Sequence, residues 1–168
     1  MRSLNLLPWV VIYTISPSLF QRPAYWSDQL QVLEYHERKK ANNWKASTAL
    51  DAFLKKHSKV VLVTFGSMIN NDPTEKTKII LNILQRNGIP AIINTASGGL
   101  VEPENYDKEQ FYFVNRIPYD WVFPKLYAVI HHGGSGTTHT AIKYGCASLI
   151  IPHIIDQYVW NKIVFEKA

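Results

Sequence analysis

The chain's 168 residues are enough for one domain with a proper core, and 46% hydrophobic against 18% charged residues excludes a disordered polymer. No apolar run is long enough to span a bilayer; the longest, Leu4 to Ile15, is broken by Pro8 and does not read as a signal peptide. One cysteine, Cys146, excludes an internal disulfide and a thiolate metal cluster, and fits a reducing, cytoplasmic setting.

The net charge of +5 is uneven, with nine Lys/Arg against four Asp/Glu up to Val60 and nine of each afterwards. Arg38-Lys39-Lys40 and Lys55-Lys56 carry much of the excess. No nucleic-acid partner is expected. A solvated helix and loop is the simpler reading, and it leaves open a peripheral contact with an anionic membrane or a protein partner.

Trp9 to Ile15 reads as a strand, the Pro-containing stretch 16–23 as a loop, and Leu30 to Tyr35 as a second strand. His36 to Ala46 reads as a linker, so residues 1–46 form a connecting segment and 47–168 the main domain. Ser47 caps a helix running to about His57, with Leu50, Phe53 and Leu54 on one face. Val60 to Phe65 is a continuous apolar strand ending at Gly66-Ser67, the pattern of a strand buried on both faces. Asp72 and Pro73 open a helix whose expected apolar stripe is Ile79, Ile80, Ile83 and Leu84, stopped by Gly88. Ile89 to Asn94 and Phe111 to Val114 are strands. Asn115 to Trp121 is a loop before a helical turn near Val122 to Leu126. A strand ends at His131, a helix runs from Ser135 to Tyr144, a strand from Ala147 to Ile151, and Asp156 to Lys167 has helical periodicity. Alternating strands and helices predict an α/β fold, a Rossmann-like parallel sheet with helices on both faces.

In such sheets ligands bind at the carboxyl ends of the strands, where the loops Gly66-Ser67-Met68, Asn115 to Trp121 and His131 to Thr137 emerge. The segment His131-His132-Gly133-Gly134-Ser135-Gly136-Thr137 passes from strand through a glycine-rich turn into a helix. The free N–H groups and dipole of that helix end suit a phosphate, and glycine lets it approach the backbone. Ser135 and Thr137 read as caps, as phosphate ligands, or as both. His131 and His132 point to opposite faces, one to pack and one to face the crevice; metal ligation is disfavoured because no acidic or thiol partner lies at ligand spacing. Ser67 is either a turn serine satisfying its own backbone or a phosphate contact. Asp156 and Gln157 suit the vicinal hydroxyls of a sugar, against Asp156 as a helix cap. Trp121 is a core residue or a stacking platform for a base. A nucleotide-dependent oxidoreductase is disfavoured, because the first strand-turn-helix reads Gly66-Ser-Met-Ile, without Gly-x-Gly-x-x-Gly and without an acidic residue placed for a ribose.

Together, Tyr13 to Leu19, Arg22-Pro23, Val63 to Met68, Ile117 to Pro124, His131 to Thr138 and Asp156-Gln157 resemble, in order and spacing, the donor-binding C-terminal domain of the family 1 glycosyltransferases of GT-B architecture. The likeness is to sterol 3-beta-glucosyltransferases and to bacterial enzymes that decorate macrolides and glycopeptides. It implies a UDP-sugar as donor substrate, transfer of a hexose such as glucose to a lipid, sterol-like or other hydroxyl acceptor, and no metal or cofactor. It also implies that Ser67, His131, Gly134, Ser135, Gly136 and Thr137 hold the diphosphate, Arg116, Ile117 and Trp121 the base, and Asp156 and Gln157 the sugar. No catalytic residue is expected in this chain, since the family's acceptor site and base lie on an N-terminal domain; a separate acceptor-binding subunit or a missing domain is the expected partner. Family members also carry further C-terminal helices, so the chain reads as a fragment or one half of a split enzyme. Ile155 stands where the family commonly has glycine, which would crowd the sugar. The alternative is an inactive nucleotide-binding remnant or interaction module.

Overall fold

The computed structural model describes residues 9–36, 44–96 and 98–167. The Arg38-Lys39-Lys40 run and most of the expected linker lie outside these. The chain divides into two compact units, Met1–Lys39 with Lys162–Ala168, and Lys40–Asn161.

In the first unit β1 (Val11–Thr14) pairs in parallel with β2 (Leu30–Leu33). The Arg22 guanidinium donates to the carbonyls of Trp26, Ser27 and Leu30 at 2.6 to 2.7 Å and closes the loop between the two strands.

The second unit is built on a five-stranded parallel sheet ordered β5-β4-β3-β6-β7. Its strands are β3 (Val61–Thr64), β4 (Ala91–Asn94), β5 (Phe111–Val114), β6 (Ala128–His131) and β7 (Ala147–Ile150). Parallel strands need helical crossovers and burial on both faces, and every residue of β3 and β4 is buried. On one face Leu62, Ile92 and Val129 pack with Leu50 and Phe53 of α1 (Thr48–Lys56), Val122 of α3 (Tyr119–Val122), Phe123 and Ala141 of α4 (Ser135–Lys143). On the other, Val61, Val63, Ala91, Ile93 and Phe111 pack with Leu81 and Leu84 of α2 (Pro73–Arg86). α5 (Ile155–Lys167) follows β7.

The stripe of α2 differs from expectation. Thr77, Leu81 and Leu84 are buried, while Ile79 and Ile83 are exposed. Both sets satisfy a 3.6-residue period. The roll of α2 over β3 and β4 selects the first and leaves the other two isoleucines on the flank.

Asp72 caps α2, its Oδ1 accepting from the Glu75 N–H at 3.0 Å. Asp72→Ala is expected to lower stability by about 1 kcal/mol. An unchanged denaturation midpoint would show that water serves those amides equally well.

Candidate functional site

The strand registers set one row of residues across the carboxyl edge of the sheet: Val114, Asn94, Thr64, His131 and Ile150. The three central members are polar and buried. Thr64 Oγ1 lies 2.9 Å from the Tyr119 hydroxyl and accepts from Asn94 Nδ2 at 3.2 Å and from the Gly66 N–H at 3.3 Å. Tyr119 also bonds Thr137, and burial raises its phenol above the ordinary range. Thr64, Asn94, Tyr119 and Thr137 therefore form one network that ties α3 and the start of α4 to the sheet. The strand segments containing Thr64 and Asn94 carry no motif that marks them for this role; only the shared register brings them together.

α4 begins beside this row. Its N-cap is Gly134, which offers no side chain to the first helical amides. The hydroxyls of Thr138 and Thr140 turn back to the carbonyls of Gly134 and Gly136. Ser135 is therefore not the cap, and the leading N–H groups of α4 have no side-chain acceptor, an arrangement whose dipole suits an anion. Gly133 has φ +89. A Cβ there would lie 2.7 Å from Ile150 Cγ2 and 3.1 Å from the Gln157 carbonyl oxygen.

Both histidines are buried, so neither is simply aimed at open solvent. His131 Nδ1 accepts the Gly133 N–H at 3.1 Å. The neutral ring therefore carries its proton on Nε2, which has no partner among the described residues. Burial, with His132 adding to it, pushes the His131 pKa down to about 4. His131 thus presents a neutral N–H donor, where the family resemblance suggests a histidine that neutralises charge. His132 is wedged between Gly66 and Gly134, since a Cβ on either glycine would fall closer to its ring than real contacts allow. At Gly134 the absence of a side chain makes room for that ring. Asn94 Oδ1, His131 Nε2 and His132 Nδ1 are buried with no hydrogen-bond partner; Asn94 and His131 end β4 and β6, and His132 follows His131 into the turn before α4.

Ser67 is exposed on the turn after β3, and its hydroxyl makes no hydrogen bond to the described residues. Gly66 beside it has φ +59, a turn conformation suited to glycine. Of the expected base-binding loop, Arg116 is exposed and Ile117 is buried in the core with Val122 and Phe123. Trp121 is half-buried, its ring 4.8 Å from that of Trp44 and with the Lys125 ammonium 4.1 Å above it. In α5, Asp156 is exposed in the first turn and Gln157 is buried. Gln157 Oε1 accepts from the His153 and Ile154 N–H groups at 2.7 and 3.2 Å, so its oxygen caps the loop before α5. Ile155 is 88% exposed. Beside the β3–α2 turn, Phe65, Met68, Asn70, Lys76, Pro152 and His153 help line a cleft of about 570 Å³. His153 Nδ1 lies 2.8 Å from the Ile151 carbonyl, and Asn70 Oδ1 joins His153 Nε2 to Lys76 Nζ at 2.9 Å each.

Among the described residues no group of three or more His, Cys, Asp or Glu could hold a metal ion, and no helix is long and apolar enough to cross a membrane.

Residues 108–167 match the family described as erythromycin biosynthesis protein CIII-like, C-terminal domain. The chain is 35% identical over 159 residues to sterol 3-beta-glucosyltransferase UGT80A2 of Arabidopsis thaliana, covering 93% of this chain and 24% of that protein. It is 32% identical over 156 residues to UGT80B1 of the same plant, covering 93% and 25%. The chain therefore spans about a quarter of the length of these relatives. Among solved structures, the glycotransferase of kitacinnamycin superposes with a TM-score of 0.69 at 15% identity, over 92% of this chain and 39% of that one. Os79 from O. sativa, solved in complex with UDP, superposes with a TM-score of 0.61 at 22% identity, over 72% and 29%. The fold is α/β and Rossmann-like, a parallel sheet with helices on both faces, and it matches these glycosyltransferase structures over this region.

Proposed function

We propose that this chain, similar over nearly its whole length to sterol 3-beta-glucosyltransferases, is the donor-binding half of a UDP-sugar-dependent glycosyltransferase. The observation that carries this reading is the α4 end, with uncapped amides beside the buried, unpartnered Nε2–H of His131. Fixed dipoles of that kind stabilise the charge that gathers on a departing diphosphate without reorganising. In this reading Ser67, His131, Gly134, Ser135, Gly136 and Thr137 surround the diphosphate. Gly134 and Gly136 act through backbone, and Thr137 mainly through the Tyr119 network that orients the helix end. Arg116, Ile117 and Trp121 border the base, with Ile117 contributing backbone, and Asp156 and the amide nitrogen of Gln157 face the sugar. A hexose, glucose by likeness to the sterol enzymes, would pass to a hydroxyl acceptor. The base that deprotonates it would come from an acceptor-binding domain or subunit outside these residues.

Calorimetric titration with UDP tests the donor site, and no heat at millimolar UDP would remove the claim. Ser135→Asp places a carboxylate on the free amides of α4. UDP affinity should fall by about tenfold or more while thermal stability holds or rises, because the carboxylate also complements the helix dipole. Equal affinity in that variant would move the site elsewhere.

The second reading, an inactive nucleotide-binding remnant, is favoured only by the absence of an assigned base among these residues. Reconstitution with an acceptor-binding partner separates the two: UDP-glucose turnover in the mixture, and none with this chain alone, supports the enzyme half.

A further inference from the structure

The two adjacent histidines differ in a way that their shared burial conceals. His131 has its Nδ1 lone pair occupied by the Gly133 N–H, so taking up a second proton would break that bond. It is fixed as a neutral donor. On His132 the arrangement is reversed. Nδ1 has no partner, and the Thr64 backbone beside the ring favours its charged form. With the neutral ring's proton on Nε2, Nδ1 keeps a bare lone pair inside the protein.

We propose that His132 takes up a proton on Nδ1 from solvent when a diphosphate binds at the start of α4, so that donor binding is coupled to proton uptake. The inference rests on the donor-site reading above. Its geometry is the wedge: the ring lies against Gly66 on one side and Gly134, the cap of α4, on the other. A charge formed there faces the anion across one glycine of backbone.

The surrounding groups set the balance. Without ligand, burial holds His132 below the usual histidine range, and positive charge at His153 opposes its protonation, while the Thr64 backbone and Asp156 favour it. Lys76 of α2 meets His153 through Asn70. Gly66 and Ser67 in the turn after β3 are uncharged, and His139 of α4 is engaged with the Ser135 carbonyl and the edge of Trp160. Two fixed negative charges at the helix end reverse the sign of this balance. A group whose pKa rises on binding strengthens binding as pH falls through that bound value, and the gain levels off below the free value.

UDP-glucose is the probe, because it lacks the terminal phosphate of UDP, whose own titration near about pH 6 would confuse the count. Calorimetry in two buffers of different ionisation enthalpy should show uptake of a fraction of a proton, approaching one as pH falls. Between about pH 8 and pH 5.5 the affinity should tighten by up to about tenfold per pH unit. Imidazole nitrogen shifts of the unaltered protein should show His132 changing from neutral to doubly protonated on binding while His131 does not. In His132→Gln, which keeps a polar side chain there but cannot titrate, the uptake should vanish. Binding without proton uptake, uptake unchanged in His132→Gln, or protonation of His131 instead would each overturn the coupling and leave the donor site intact. No binding of UDP-glucose at any pH would overturn the donor reading, and the coupling with it.

Discussion

Gly133→Ala is expected to destabilise the protein by about 3 kcal/mol, several times the effect of Gly145→Ala. At both positions φ is positive, +89 and +66, and an alanine forced into that region is strained by roughly 1 kcal/mol. The positions differ in their surroundings. Nothing lies within 4 Å of a Cβ on Gly145, whereas one on Gly133 meets Ile150 Cγ2 at 2.7 Å and the backbone of Gln157 at 3.1 Å. Overfilling such a contact costs about 1–3 kcal/mol more, because a strand residue and a helical carbonyl must move together. Against a total stability of about 5–15 kcal/mol this is a large share. The same displacement would carry Gln157, and the loop it caps, away from the start of α4. Chemical denaturation of the two variants side by side gives the comparison. Equal losses would mean that β7 and α5 yield freely around the turn, and that Gly133 is needed for its backbone angle alone.

How much of this was legible in the sequence depends on whether neighbours along the chain or across the sheet decide it. The parallel sheet could be read from runs such as Val60 to Phe65, because a strand buried on both faces has no polar side to show. The β3 and β4 strands are buried throughout. The amide-rich end of α4 was equally visible, since glycine, serine and threonine after a strand encode it locally. The stripe of α2 was not, because two sets of residues fit one helical period and only the sheet beneath chooses between them. Nor was the Thr64–Asn94–Tyr119 network, whose members lie 25 or more positions apart and meet through register. Gly134 shows the limit most clearly. Its sequence context suggests room for a phosphate, and the structure adds a second demand, room for the ring of His132. Gln157 is similar: the amide that resembles a sugar ligand spends its oxygen on the backbone of its own loop.

Acid is expected to weaken the fold through His131, and the sign follows from its burial. The folded-state pKa is lowered to about 4 from the ordinary 6.5, so the folded protein binds this proton less readily than the unfolded chain does. Stability from this group is therefore complete above about pH 6.5, declines as pH falls, and levels off below about pH 4. The full drop corresponds to about 3 kcal/mol, since every tenfold loss of proton affinity is worth about 1.4 kcal/mol and the side chain is fully buried. Carboxylates titrate over the lower part of the same range, so the difference between two profiles is the useful quantity. His131→Asn keeps an oxygen where Nδ1 accepts the Gly133 N–H but cannot titrate. It should be less stable than the unaltered chain at neutral pH, through the lost ring, and its deficit should shrink as pH falls from about 6.5 to about 4. A deficit constant with pH would mean that His131 already takes its second proton in the folded state. The Gly133 bond would then be dispensable, and the neutral Nε2–H donor assigned to the diphosphate site would have to be replaced by a cation.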